Sequence, residues 1–539
     1  MTPVSVHEAF TATVGEYPSS PFLYVTSHMA RVYGYSGSGF TYREAKTEVD
    51  RLRAGYAGAG YGAGHRVALV FDNRPEFFLH FLALNALGAG VVPVGSGLQL
   101  EEMRYLLSHS DVCLAVSVRN HVVAVREAAE AVTRKLPVVE AEDSDRLPAA
   151  TEPAREDTPR LSSEAAMLYT SGTTGRPKGC MLSNAYFLEL GGWYLGLGGL
   201  CAMEAGQERL ITPLPTNHMN AMACSFMAML MSGGCLIQLD RFHPSSWWDS
   251  VRESRASVLH YLGVMPAMLL NIPESSGDDF SAQIKFGFGA GVDPRHQERF
   301  EKRFGFPLTE AWAMTETGAG ACTIVNREPR NVGMRCIGVF GDGMEYKLVD
   351  EQGQECSGGE PGELLVRSSG EDPHKGFFTG YYKDPEATEA AWEDGWFHTG
   401  DVVRLGDDGS LFFVDRSKNI VRRSGENIAA VEVEGVLFRN PLIENCAVAP
   451  VEDEIRGEEV MACIELKHSE AATLETAEAI FDACRERLAY YKAPGYISFV
   501  SELPLTPSQK VKRGEVKKEC RKRLQAGDCF DLRHKKRRN

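Results

Sequence analysis

Residues 168–180 read Leu-Tyr-Thr-Ser-Gly-Thr-Thr-Gly-Arg-Pro-Lys-Gly-Cys, and no other stretch of the 539-residue chain constrains its fold so tightly. The apolar run leading into it, Ala165 to Tyr169, reads as a buried strand. It empties into Thr170, Ser171, Gly172, Thr173, Thr174 and Gly175. Small residues leave backbone N–H groups open, the hydroxyls add donors, and Lys178 adds a point charge. Together they make a cradle for several phosphate oxygens. It is not the Walker loop, because Gly172, Gly175 and Lys178 lack the G-x-x-x-x-G-K-[ST] spacing and Gly179 follows the lysine.

On the N-terminal side, strands alternate with helices between Arg66 and Val118, with a helix expected from Pro75 to Leu87. A second such unit runs from Glu208 to Leu262. This rhythm implies right-handed parallel crossovers and layered α/β subdomains. Beyond about residue 340 the texture shifts to short strands punctuated by turns, as in a β-rich subdomain. From 419 onward, strands and helices alternate again in a small α+β domain. The expected fold is therefore α/β: a large N-terminal domain of two layered α/β subdomains plus a β-rich subdomain, and a small mobile α+β C-terminal domain. The boundaries read as 1–415, a hinge at 416–418, a C-terminal lid at 419–523 and a basic tail at 524–539, expected to be solvated and frayed.

Bulk numbers narrow the function. A length of 539 residues requires two or more domains, and a formal charge of −16 argues against a nucleic-acid or membrane-surface binder. Thirteen cysteines with no C-x-x-C pair suit free thiols in a reducing cytoplasm. The apolar stretches Phe77 to Val94 and Ala221 to Ile237 are broken by Gly or Pro. They read as buried helices running into buried strands, so no integral membrane association is expected.

Thr-Ser-Gly-Thr-Thr-Gly-x-Pro-Lys-Gly at 170–179 resembles in full the signature loop of the adenylate-forming superfamily, and the resemblance continues in order almost to the end of the chain. These proteins include acyl- and aryl-CoA synthetases, adenylation domains of peptide synthetases and beetle luciferases. The resemblance implies a two-step reaction: MgATP and a carboxylic acid give an acyl-adenylate, which a thiol, expected to be coenzyme A, then attacks. ATP, Mg²⁺ and coenzyme A are the implied cofactors and co-substrates. The subfamily texture at RRSGENIAAVEVE is similar to the fatty-acyl and crotonobetaine/carnitine-CoA ligase branch.

Residue by residue, the resemblance assigns Gly289, Ala290 and Gly291 to the approach of backbone to adenine, and Glu310, Ala311, Trp312, Ala313, Met314 and Thr315 to the nucleotide. Trp312 stands where the family has Tyr, which keeps an aromatic stack; Ala313 replaces the usual Gly. Glu316 and Thr170 are the implied Mg²⁺ ligands, hard oxygens suited to that ion. Asp401 takes the ribose hydroxyls, a task for paired carboxylate acceptors, and Arg416 contacts ribose and phosphate. Lys418 is the hinge, and Ser424 and Gly425 flank the pantetheine channel. Lys510 bridges carboxylate and α-phosphate as the adenylation lysine, with Lys512 the alternative in register. His218 lines the acyl mouth, and Met219, residues 260–264, Phe288 and 318–322 complete the expected acyl pocket. A short to medium, polar or branched acid is expected. The sequence leaves three alternatives: loading of a separate carrier protein, a luciferase-like oxygenase, and a non-catalytic nucleotide-binding homologue. It also leaves the oligomeric state open, a homodimer included.

Overall fold

The computed structural model describes residues 2–132, 135–143, 146–170, 176–350, 352–416, 420–467, 472–504, 511 and 513–537. Ser171, Gly172, Thr173, Thr174 and Gly175 of the phosphate cradle, the hinge residue Lys418 and both candidate lysines, Lys510 and Lys512, lie outside the described residues. The chain divides into two compact units at Asp415/Arg416, the second also taking in Gly97–Tyr105 and the residues from Thr170 to Lys178.

In the first unit, the cradle strand Glu164–Thr170 sits in a seven-stranded sheet between Lys178–Ser183 and Gly90–Pro93. Gly90–Pro93 pairs in parallel with Arg66–Val70, which pairs in parallel with Leu114–Ser117. Every residue of Gly90–Pro93 and Leu114–Ser117 is buried, as strands covered by helices on both faces must be. The crossover helix is Pro75–Asn85, started by a proline whose fixed φ and missing N–H suit the first helical position.

An eight-stranded sheet forms from the second rhythm. Its parallel centre runs Leu308–Trp312, Phe286–Ala290, Val258–Leu262, Arg209–Thr212, Cys235–Gln238. The N-terminal strands Pro21–Tyr24 and Gly39–Thr41 complete one edge, which the sequence rhythm alone did not show. The Met-rich stretch opens as a π-helix, Asn220–Ser225, before the α-helix Phe226–Ser232. Phe78 from the first crossover stacks on Phe226 with centroids 4.3 Å apart, so helices from the two sheets share one apolar layer. A third, antiparallel sheet holds Met344–Val349, Gly362–Ser368, Trp396–Leu405, Leu411–Arg416 and Cys336–Gly338. No helix among the described residues is long and apolar enough to cross a membrane.

The second unit is built on the long antiparallel pair Ile443–Asp453 and Gly457–Leu466, flanked by helices Ala430–Leu437, Leu474–Arg485 and Arg513–Ala526. The described part of the basic tail, residues 524–537, is not frayed as expected. Phe530–Asp531 pairs with Tyr496–Phe499, and the Lys536 ammonium is fully buried against Glu459, whose other oxygen accepts from Arg423 Nε at 2.6 Å. Burial pushes the Lys536 pKa down to about 7. A lysine is pulled inside here because a buried carboxylate needs its partners.

Candidate active site

The carboxyl ends of the neighbouring parallel strands Phe286–Ala290 and Leu308–Trp312 carry predicted nucleotide residues beside Val258–Leu262, whose end carries expected acyl-pocket residues, with Tyr261, Gly289 and Glu310 in register. Ligands in open α/β sheets collect at such ends. A Cβ on Gly289 would fall 2.3 Å from the Tyr261 carbonyl oxygen, so no larger residue fits. Gly291 turns with φ +75°. Glu310 braces this turn: one carboxylate oxygen accepts from Gly291 N at 2.8 Å and Val292 N at 3.2 Å, and the other accepts from the Tyr261 hydroxyl. Burial pushes the Glu310 pKa up to about 7 even though these donors pull it down. Its oxygens are thus occupied by the loop, which makes it a positioning residue for Gly289–Gly291.

Trp312 and Asp401 come together. The indole Nε1 donates to Asp401 Oδ2 at 2.8 Å, and both side chains are buried. Asp401 owes its place to a bulge in the strand Trp396–Leu405 opposite Leu364. Gly400 adopts φ +67°, Thr399 Oγ1 donates to the Leu364 carbonyl at 2.6 Å, and the Asp401 N–H donates back to Thr399 Oγ1 at 3.0 Å.

Glu316 is also buried, at 6 % exposure. Tyr381 donates its hydroxyl to Glu316 Oε1 at 2.9 Å, and Tyr186 donates to the Thr315 carbonyl at 2.9 Å. One Glu316 oxygen is therefore oriented by a neutral donor, since burial and the carboxylate push the Tyr381 pKa far up. That arrangement fits a Mg²⁺ ligand, which needs a fixed hard oxygen. Neither tyrosine was legible as a site residue from sequence, because nothing in the local pattern links positions 65 or 129 residues apart. Ala311, Met314 and Thr315 are half-buried and Ala313 is exposed. Thr170 closes its strand and Lys178 opens the next.

His218 lies two residues before the π-helical turn Asn220–Ser225 and is half-buried. Two of the expected pocket residues are enclosed rather than lining: His260 and Phe288 are buried and stacked on each other, centroids 4.6 Å apart. His260 Nδ1 lies 2.7 Å from Asn220 Oδ1 and 2.9 Å from Ser225 Oγ, and Nε2 lies 2.8 Å from the Tyr194 hydroxyl. Burial lowers the His260 pKa to about 3, so the ring is neutral. An amide oxygen only accepts, so the proton sits on Nδ1 and Nε2 accepts from Tyr194. Sequence reading missed Asn220, Ser225 and Tyr194; for the first two the available signal was polar residues at and within an otherwise apolar Met-rich run, whereas Tyr194 comes from the helix Asn184–Leu195.

In the second unit, Ser424 and Gly425 form the two-residue turn between Ile420–Arg423 and Glu426–Ala429, with φ +51° and +87°. Positive φ at both central positions matches the twist of a tight hairpin. Arg416 ends the strand Leu411–Arg416.

Comparison with known proteins gives a coherent result. Residues 10–382 match the family model described as AMP-binding enzyme, and 432–510 match the AMP-binding enzyme C-terminal domain. A sulfoacetate–CoA ligase of Cupriavidus necator is 31% identical, over 92% of this chain and 94% of that protein. A crotonobetaine/carnitine–CoA ligase of Salmonella typhi is 30% identical, over 89% and 93%. Among solved structures, an o-succinylbenzoate CoA synthetase from Bacillus subtilis superposes with a TM-score of 0.80 at 23% identity, covering 95% of this chain and 98% of that one. An amide bond synthetase from Marinactinospora thermotolerans does so at 0.80 and 21%, covering 96% and 99%.

Proposed function

We propose, from the premise that this chain belongs to the AMP-binding enzyme family and is an AMP-forming acid–CoA ligase, that its acid is short and carries a hydrogen-bond acceptor away from the reacting carboxylate. The carrying observation is the 2.7 Å contact that holds Asn220 Oδ1 on neutral His260. With its oxygen committed inward, the half-exposed Asn220 amide is left with its two N–H donors to offer an acyl group beside His218. An acid with no acceptor there strands those donors, at a cost of about 1–3 kcal/mol, or roughly 10- to 100-fold in kcat/KM. Two relatives named for small polar acids support this reading.

The carboxylate is a poor electrophile until AMP makes it a mixed anhydride. Asp401, steered by Trp312, takes the ribose hydroxyls; the Gly289–Gly291 turn, braced by Glu310, lets adenine approach backbone. Glu316, with Thr170 as second oxygen donor, would hold Mg²⁺, which supplies charge neutralisation on the phosphates when bound. Ser171, Gly172, Thr173, Thr174, Gly175 and Lys178 cradle the phosphates, and Arg416 contacts ribose and phosphate. Lys510 screens the approach of carboxylate to α-phosphate. Ser424 and Gly425 then serve the thiol step after rotation about Lys418, within the boundaries 1–415, 416–418 and 419–523. A cytoplasmic location suits the free thiols.

The test is a panel of acids matched in length, with and without a distal acceptor group, scored by CoA-dependent AMP release in wild type and Asn220→Leu. Acceptor-bearing acids should lead in wild type and lose that lead in the variant. Equal use of apolar acids by the wild type would refute the substrate reading while leaving the ligase reaction intact.

A further inference from the structure

The strands Pro21–Tyr24 and Cys235–Gln238 are parallel neighbours, Leu23 opposite Leu236, and their carboxyl ends deliver three side chains to one place. His28 stands on the helix Ser27–Tyr33, and Asp240 and His243 stand on the segment after Cys235–Gln238. One ligand atom from each lies within 4.8 Å of the others. His243 Nε2 is 2.9 Å from both Asp240 oxygens, His28 Nε2 is 3.9 Å from Asp240 Oδ1, and the two imidazoles meet edge to face at 4.6 Å.

One atom in this cluster is unexplained by protein contacts. Among the described residues, His28 Nε2 is buried and has no hydrogen-bond partner, a condition that native structures rarely tolerate without an ion or a water. The side chains themselves are 14–28 % exposed, so a small ion has a route in and water can fill the remaining positions.

We propose that His28, Asp240 and His243 form a binding site for a borderline divalent cation of the Zn²⁺ type. Two neutral imidazoles and one carboxylate suit Zn²⁺ or Co²⁺, whereas Mg²⁺ and Ca²⁺ select all-oxygen sets. An ion there ties the helix Ser27–Tyr33 to the segment beyond Gln238, across the edge where the N-terminal strands join the sheet. It is separate from the nucleotide site. Three strands intervene between Cys235–Gln238 and Leu308–Trp312, about 19 Å at the ~4.8 Å spacing of adjacent strands. Its role is structural, because none of its ligands belongs to the ATP or acyl residues.

The test uses the full-length protein, stripped of metal by dialysis against a chelator and titrated with Zn²⁺ by calorimetry and Co²⁺ by absorbance. Expected are one equivalent of binding, a visible-range Co²⁺ spectrum, and a rise in melting temperature on Zn²⁺ addition, undiminished by millimolar Mg²⁺. His28→Ala and His243→Ala should each weaken binding by at least about tenfold and abolish the melting-temperature rise, with acid-dependent AMP release unchanged; His28→Gln provides a variant of smaller volume change. Absence of a stoichiometric equivalent in the wild type would overturn the proposal, as would Zn²⁺ binding of equal strength in the His28→Ala/His243→Ala double variant.

Discussion

The indole N–H of Trp312 donates to Asp401 at 2.8 Å, linking the aromatic residue of one sheet to a carboxylate on a bulged strand of another, 89 residues later. The bond orients the Asp401 carboxylate, the group proposed to take the ribose hydroxyls, and it holds the indole ring at a set angle. A tyrosine, the residue usual in the family resemblance, has its donor at the far end of the ring. The Trp312 substitution therefore changes how the carboxylate is held as well as the stacking surface.

Trp312→Phe keeps an aromatic face and removes that donor together with part of the buried ring. The KM for ATP should rise about tenfold, in line with the roughly 1.5 kcal/mol of a hydrogen bond to a charged group, with a smaller change in the KM for the acid. Steady-state kinetics with each substrate varied in turn checks this; an unchanged KM for ATP would show that Asp401 does not depend on the indole.

Glu310 gives a pH signature. Its pKa is raised to about 7 by burial, against about 4.3 for an exposed Glu. The folded state therefore binds its proton more tightly than the unfolded chain. That stability is fully present below about pH 4.3 and is lost as pH rises through 7. Relative to Glu310→Gln, wild type should lose on the order of 3 kcal/mol between pH 4.5 and 7.5. Denaturant titrations of both proteins at the two pH values measure it, and parallel pH profiles would contradict the assignment.

Gly289→Ala places a methyl carbon 2.3 Å from a backbone oxygen, a neighbour that cannot rotate away. The strand must shift, at a cost of about 1–3 kcal/mol, and the backbone approach to adenine is lost with it. A lowered melting temperature together with a raised KM for ATP is expected. A melting temperature equal to wild type would mean the loop is looser than its contacts indicate.

Lys510→Ala should abolish formation of acyl-adenylate from ATP and acid, yet largely spare thioester formation when acyl-adenylate is supplied. Measuring the half-reactions separately distinguishes this from a folding defect, which would depress both. The same loss in Lys512→Ala and not in Lys510→Ala would move the role by two residues.

Part of the local geometry was legible because it is written in short runs. The Thr399-Gly400-Asp401 turn and the Gly289–Gly291 turn each need particular small or acidic residues within a few positions. What escaped depends on distance along the chain. Pro21–Tyr24 joins a sheet whose parallel central strands begin at Arg209, and nothing near residue 21 says so. Tyr381 reaches Glu316, and Asn220 and Ser225 reach His260, only because the fold brings them together. Lys536 misled for a different reason: a basic tail reads as solvated until a buried carboxylate, Glu459, is seen to need it.

The most direct measurement is the product balance of purified protein given ATP, Mg²⁺, CoA and a panel of short polar acids. AMP and acyl-CoA should appear in equal amounts, dependent on the acid, with pyrophosphate released and no ADP formed. Absence of AMP with every acid, or AMP formed without any thioester, would contradict the assignment of an AMP-forming acid–CoA ligase.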